Sequence, residues 1–159
     1  MIERTLVLLK PDAVERALVG EIIQRFERVG LRIAGMKMIR VDPELAKKHY
    51  AAHVDKQFYQ GLEDFITSGP VVAMVLEGLH AVELVRKMVG GTEPKSAAPG
   101  TIRGDYAHHS YMYADQKGIS IKNLIHASGT QEEADQEVQL WFSDSELHHY
   151  EPVHQKHTQ

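Results

Sequence analysis

Val71-Val72-Ala73-Met74-Val75-Leu76 is an unbroken apolar run of strand length, preceded by Ser68-Gly69-Pro70. A run this short with turn residues ahead of it reads as a strand buried on both faces. Such a strand needs neighbours, and the flanking sequence supplies them. Upstream, Phe58, Leu62, Phe65 and Ile66 recur at helical spacing and stop at the Ser-Gly-Pro turn. Downstream, Val82, Val85 and Val89 define a helix over Ala81 to Val89, with Arg86 one position from its apolar stripe. Thr5 to Leu9 is a second aliphatic run, ended by Lys10-Pro11-Asp12, where proline cannot continue a ladder.

Further elements follow the same logic. Val19, Ile22, Ile23, Phe26 and Val29 lie on one face of a helix closed by Gly30. Leu31 to Val41 alternates as a strand whose period is blurred at Ala34-Gly35. Asp42-Pro43-Glu44 opens a helix with Asp as N-cap and Pro at the first helical position, running to about His53. Gly90 to Gly104 has no period and reads as an ordered loop, while Asp105 to Lys122 supports no assignment. Lys122 to Ile125 reads as a last strand. Thr130-Gln131-Glu132-Glu133 opens a helix carrying Ala134, Val138 and Trp141 on one side, and Ser143 to Glu146 has the form of a second capping box. The order of elements fits a layered domain with helices packed on one sheet, while periodicity leaves the strand order open. Residues 1–150 are expected to form a single domain and 151–159 a polar, mobile tail.

Composition bounds the function. With 159 residues, 43% hydrophobic and 25% charged, the chain can bury one sizeable core. Lys plus Arg number 18 against 22 Asp plus Glu, so the net charge of -4 provides no global field for nucleic acid. Any polyanion must be held by a local cluster of cations. No apolar run reaches membrane-spanning length, and no membrane partner is expected. The absence of cysteine excludes disulfides and thiolate metal sites. Together with an N-terminus that lacks a secretory pattern, it gives the expectation of a cytoplasmic protein. Ten histidines are present, and most are expected on solvated surface, including the His49 and His53 pair one helical turn apart.

The chemistry gathers in Thr101-Ile102-Arg103-Gly104-Asp105 and Asn123-Leu124-Ile125-His126. A cation, an amide and an imidazole close in sequence suit a phosphate and a nucleophile. Common phosphate loops, G-x-x-x-x-G-K-[ST] and G-x-G-x-x-G, are missing, as is an H-E-x-x-H helix.

Taken in order, Lys10-Pro11-Asp12, His49-Tyr50, Gly91-Thr92-Glu93-Pro94, Pro99 to Asp105 and Asn123 to His126 resemble the nucleoside diphosphate kinase family, from about Thr5 to about Tyr150. The resemblance implies an α+β, ferredoxin-like sandwich with an antiparallel four-stranded sheet and added helices. It implies ping-pong transfer of the γ-phosphate from a nucleoside triphosphate such as ATP to a nucleoside diphosphate, and assembly into a homo-oligomer, a tetramer or hexamer. Mg²⁺ would be held mainly by the nucleotide phosphates, with no protein metal ligands. By match to the family's motifs, His126 would be phosphorylated, on Nδ1. Lys10, Phe58, Arg86, Thr92, Arg103 and Asn123 would bind nucleotide, with the base stacked on Phe58. Lys10 and Tyr50 would act near the reacting group, and Glu137 would orient the histidine.

Each residue also has a plainer reading. Lys10 fits a solvated strand-end lysine, Arg86 a cation near a helix C-terminus, and Thr92 a turn residue. Phe58, four residues from Leu62, fits a core helix position. Tyr50 fits a packed aromatic, Glu137 a solvated carboxylate and His126 a structural histidine. Two rival functions follow, a catalytically silent nucleotide-binding protein and a histidine-rich metal-binding module. The chain departs from the family in two places. Ala127-Ser128-Gly129-Thr130 follows the histidine where Gly-Ser-Asp-Ser is common, and Asp105 to Asn123 is longer than the family's short form. That longer segment is expected to cover the nucleotide pocket.

Overall fold

The computed structural model describes residues 1–159. Its centre is an antiparallel four-stranded sheet made of β1 (Ile2–Leu9), β2 (Arg32–Arg40), β3 (Pro70–Leu79) and β4 (Ile125–Ala127). Their spatial order is β2-β3-β1-β4. The two central strands are therefore the two apolar runs of the sequence, and β1 pairs with β3 from Ile2 opposite Leu79 to Leu9 opposite Val72. This is the ferredoxin-like arrangement, with two interleaved crossover units.

Alternation along the central strands divides the core in two. Val7, Leu9, Val72, Met74 and Leu76 face one layer, where Ala13 of α1 (Pro11–Glu15), Ile22 and Phe26 of α2 (Val19–Arg28) and Val85 and Val89 of α5 (Ala81–Val89) cover them. Leu6, Leu8, Val71, Ala73 and Val75 face the other. There they meet Ala46 of α3 (Pro43–His49), Ile66 of α4 (Tyr59–Thr67), and Val138 and Trp141 of α8 (Gln131–Trp141). Helices thus cover both faces, which is why β3 is apolar at every position from Val71 to Leu76.

Three departures from the local reading have physical causes. In β2 the register shifts between Ile33 and Gly35, a bulge that flips the side-chain alternation. Met36 and Met38 thereby stay on the face of Met74 and Val72, opposite which they pair, and on this edge strand they are 53% and 59% exposed. A side chain at Gly35 would lie 2.9 Å from the Glu146 carbonyl, so the bulge also lets the chain after α8 pass close by. The helix opened by Asp42 ends at His49 rather than near His53, and one 3-10 turn, Ala51–His53, follows. Asp42 caps it as expected, accepting from the Leu45 amide at 2.8 Å.

The last strand starts at Ile125, not Lys122. Leu124 lies in the left-handed region at φ 71°, so the residues before it cannot be extended into the ladder. That turn is held from far away in sequence. The Leu124 amide donates to the Asp12 carboxylate at 3.0 Å, and the Leu124 carbonyl accepts from the Lys10 amide at 2.8 Å.

The loop region contains two more helices. Thr101 caps α6 (Ile102–Tyr106), accepting from Gly104 at 3.1 Å, and a Cβ at Gly104 would collide with the Ala98 carbonyl oxygen. Ser110 caps α7 (Tyr111–Lys117), in which only Ala114 is buried, so no amphipathic period marks it. At the C-terminus the tail forms a turn of helix, Gln155–Thr158, with Thr158 against Gly30.

Candidate active site

The site grows from the end of β1. Proline at position 11 stops the strand, and Lys10 turns its ammonium onto Asn123 Oδ1 at 2.8 Å. Asn123 Nδ2 in turn donates to the Thr92 carbonyl at 2.9 Å. One amide thus ties the β1 end to the loop after α5. Lys10 is only 8% exposed, and burial, followed by the nearby Arg103 charge, lowers its ammonium to about 8. Burial likewise raises the neighbouring Asp12 carboxyl, with Lys10 pulling the other way.

Lys10, Tyr50, Phe58, Thr92 and Asn123 line a single cavity of about 750 Å³. Its opposite wall is Tyr111, Ala114 and Asp115 of α7 with Gly118 to Ile121, so the long segment does cover this cavity. The histidines of that segment do not: His108 and His109 border a separate hollow with Asp12 and Arg16. Phe58 is 54% exposed rather than core, its ring 5.5 Å from that of His53. Leu62 lines the cavity beside it.

Arg86 and Arg103 lie outside that wall. Arg103 is 4% exposed and donates to three backbone carbonyls, those of Asn123, Gly90 and Ile125. Burial and then the Arg86 charge lower it to about 10. Arg86 itself is exposed on α5, with its guanidinium free of ion pairs.

His126 sits in β4 opposite Leu8, and Tyr50 connects it to the cavity through His49. The Tyr50 and His49 rings are 4.7 Å apart, and the His49 and His126 rings 4.6 Å, both edge to face. Tyr50 is half-buried, and desolvation of its hydroxyl pushes it up to about 12 and keeps it protonated. His126 Nε2 is 3.0 Å from both oxygens of Glu137. Only a donor can satisfy that carboxylate, so the proton resides on Nε2 and the Nδ1 lone pair is left unengaged. Ser128 Oγ donates to Glu137 at 2.6 Å and accepts from the Leu6 amide at 3.2 Å. Burial alone would raise Glu137, but His126 and Ser128 outweigh it and hold the carboxylate below its usual range.

His49 overturns the expectation of a solvated histidine, since its side chain is 1% exposed. Trp141 Nε1 donates to His49 Nδ1 at 3.2 Å. Neither residue carries a local signal for this role, because α3 and α8 meet only in the folded chain. His49, His126 and Glu137 do have ligand atoms within 4.8 Å of one another, the spacing of a metal cluster. Their inward positions are already occupied by the indole proton, the Nε2 proton and the Ser128 hydroxyl proton, so a metal would have to displace three hydrogen bonds.

Comparison with known proteins matches residues 3–147 to the family described as nucleoside diphosphate kinase. A nucleoside diphosphate kinase of Pyrococcus furiosus is 56% identical over 149 residues, covering 94% of this chain and 88% of the relative. The chain belongs to the nucleoside diphosphate kinase family. It is thereby an enzyme of the phosphotransferase class, and its α+β sheet is the fold of this family. A nucleoside diphosphate kinase from Borrelia burgdorferi, a transition-state mimic with bound vanadate and ADP, superposes with a TM-score of 0.95 at 43% identity, covering 99% of this chain and 96% of that one. The halophilic enzyme of Halobacterium salinarum in complex with CDP gives 0.86 at 44% identity, covering 98% and 97%. No helix of this nucleoside diphosphate kinase family member is long and apolar enough to cross a membrane.

Proposed function

We propose that this chain moves the γ-phosphate of a nucleoside triphosphate to a nucleoside diphosphate in two half-reactions through a phosphohistidine on His126. The observation that carries this reading is the His126 ring itself, fixed through Nε2 to Glu137 with Nδ1 unengaged. The Nδ1 lone pair attacks the γ-phosphorus, the bond to the β,γ-bridging oxygen breaks, and the diphosphate departs with that electron pair. A second diphosphate then attacks the same phosphorus, the P–N bond breaks, and the imidazole is restored. Glu137 orients the ring and balances the positive charge that develops on it. The relatives bound to ADP with vanadate and to CDP support nucleotides as ligands.

A loose phosphoryl transition state asks for alignment and charge neutralisation. Lys10 and Arg86 supply free positive charge, and Arg103 keeps two of its five N–H groups after binding three carbonyls. Thr92 and Asn123 bind phosphate and sugar oxygens beside them. Tyr50 stays a neutral hydroxyl near the transferred group. The cavity wall offers one carboxylate, Asp115, among neutral oxygens and Lys10, which suits a Mg²⁺ ion that arrives on the phosphates and keeps its waters. Mg²⁺ bound there would draw charge off the β- and γ-oxygens. Phe58 stacks the base, which tolerates any base because each has a π-face. Phe58→Ala should weaken nucleotide binding by about 1–3 kcal/mol to a similar degree for purines and pyrimidines. Calorimetric titration with ADP and CDP measures this, and unchanged affinities would remove Phe58 from the site.

The further readings are a single domain over residues 1–150 with a tail over 151–159, and a cytoplasmic setting, consistent with a chain free of cysteine. Self-assembly as a tetramer or hexamer is supported by β2, an edge strand that carries exposed Met36 and Met38. Light scattering that returned only the 17.9 kDa protomer would refute it.

The decisive test is incubation with γ-labelled ATP and Mg²⁺. Protein-bound label should be acid-labile, alkali-stable and discharged by GDP. Nucleotide binding without label, even within one turnover, would make the protein a silent binder.

A further inference from the structure

We infer that Trp141 is a positioning residue for the phosphoryl transfer, acting by locking His49 in its neutral Nε2–H tautomer so that the Glu137 carboxylate is left to His126. This rests on His126 as the carrier and concerns what keeps it aligned.

His49 stands where it could do harm. Its Nδ1 is 3.8 Å from Glu137 Oε1, one small rotation from a hydrogen bond. A histidine beside a carboxylate ordinarily puts its proton on the near nitrogen and donates it, gaining a charge-assisted bond. Here the near nitrogen receives the indole N–H of Trp141 at 3.2 Å instead. Indole is a donor only, so Nδ1 must be the acceptor and the ring proton must sit on Nε2. His49 Nε2 is buried without a partner, a cost the fold accepts in keeping this tautomer. Glu137 is then free to take His126 and Ser128.

The charges around His49 come from every element packed on it. Glu137 lies on α8, His126 on β4, Lys10 after β1 and His53 in the turn beyond α3. Burial first, then His126, Lys10 and His53 against the pull of Glu137, lower the imidazole to about 3. A protonated His49 would set a cation 4.6 Å from the nucleophilic ring and compete for its carboxylate.

Trp141→Phe keeps an aromatic ring in the core and removes only the donor. His49 is then free to move its proton to Nδ1 and donate to Glu137, which draws the carboxylate away from His126. Phosphoenzyme formation at saturating nucleotide should fall about tenfold, by a similar factor at pH 6 and pH 8.5, because His49 stays buried and neutral and acts through its tautomer alone. KM for nucleotide should change less than about twofold, because nothing in the cavity wall is altered. The double variant Trp141→Phe with His49→Leu has no donor at this position and should recover most of the lost rate. Nitrogen-15 spectra of the histidines read the tautomer without any turnover, with Nε2–H expected for His49 in the unaltered protein and Nδ1–H in Trp141→Phe. An Nδ1–H tautomer in the unaltered protein overturns the inference even if the variant does not fold. Phosphoenzyme formation by a folded Trp141→Phe protein within about twofold of the unaltered one, or no recovery in a folded double variant, overturns it as well. Absence of label on the unaltered protein would instead strike the carrier reading, leaving the tautomer to be judged by the spectra.

Discussion

His126→Ala is expected to abolish phosphoenzyme formation and to lower turnover by at least about 10⁴-fold, the scale seen when a covalent nucleophile is deleted. The expected loss is so large because no neighbour can replace the lone pair. His49 is held neutral with Nδ1 occupied by Trp141, and its other nitrogen is buried. Tyr50 stays protonated to about 12. Ser128 has its hydroxyl proton on Glu137. The fold should survive, since β4 is held by backbone pairing with β1 and the His126 side chain is partly exposed. Glu137 keeps its bond from Ser128. Stopped-flow turnover, label incorporation and circular dichroism together measure the effect. Turnover within about tenfold of the unaltered enzyme, in a folded protein, would eliminate His126 as carrier.

Lys10→Met should cost about 10²–10³-fold in kcat/KM, the scale of removing one preorganised charge from a transition state. Its pH signature is more telling than its size. Because the free-enzyme ammonium titrates at about 8, kcat/KM should fall on an alkaline limb near that pH. Bound phosphates favour the charged form, so the corresponding limb in kcat should lie higher. Lys10→Met should show neither limb. Stability has the opposite slope. Between about 8 and the ordinary 10.5, the unfolded chain binds more protons at this position than the folded one, so folding stability should rise with pH across that window. The gap corresponds to roughly 3 kcal/mol, present above the unfolded value and absent below about pH 8. Tyr50, whose hydroxyl burial raises, offsets part of it above about pH 10. Urea unfolding from pH 7.5 to 10 tests this. A flat profile that Lys10→Met does not alter would mean that Lys10 is solvated rather than buried.

The sequence is legible wherever a structural signal is complete within a few residues. Asp42-Pro43 and Thr130 cap helices because a carboxylate or hydroxyl needs to reach only three residues on. The doubly buried β3 announced itself through an unbroken apolar run. β2 was blurred because a bulge at Ala34-Gly35 breaks the period that strand recognition depends on. The start of β4 has no local signal because the turn at Leu124 depends on Asp12, 112 residues earlier. α7 left no trace because its aromatic residues face a cavity and solvent rather than a core.

The sequence by itself determined the runs that become β1, β2 and β3, the helices whose caps and apolar period are local, and which ordered motifs carry cations, amide and imidazole. It did so because alternation, capping and turn chemistry act over a few residues. Only the tertiary structure decided the strand order, the gathering of Lys10, Thr92 and Asn123 in one hydrogen-bonded chain, and the burial of His49 against Trp141 and His126. Those outcomes depend on desolvation and on contacts between residues about a hundred positions apart, and no local period encodes either one.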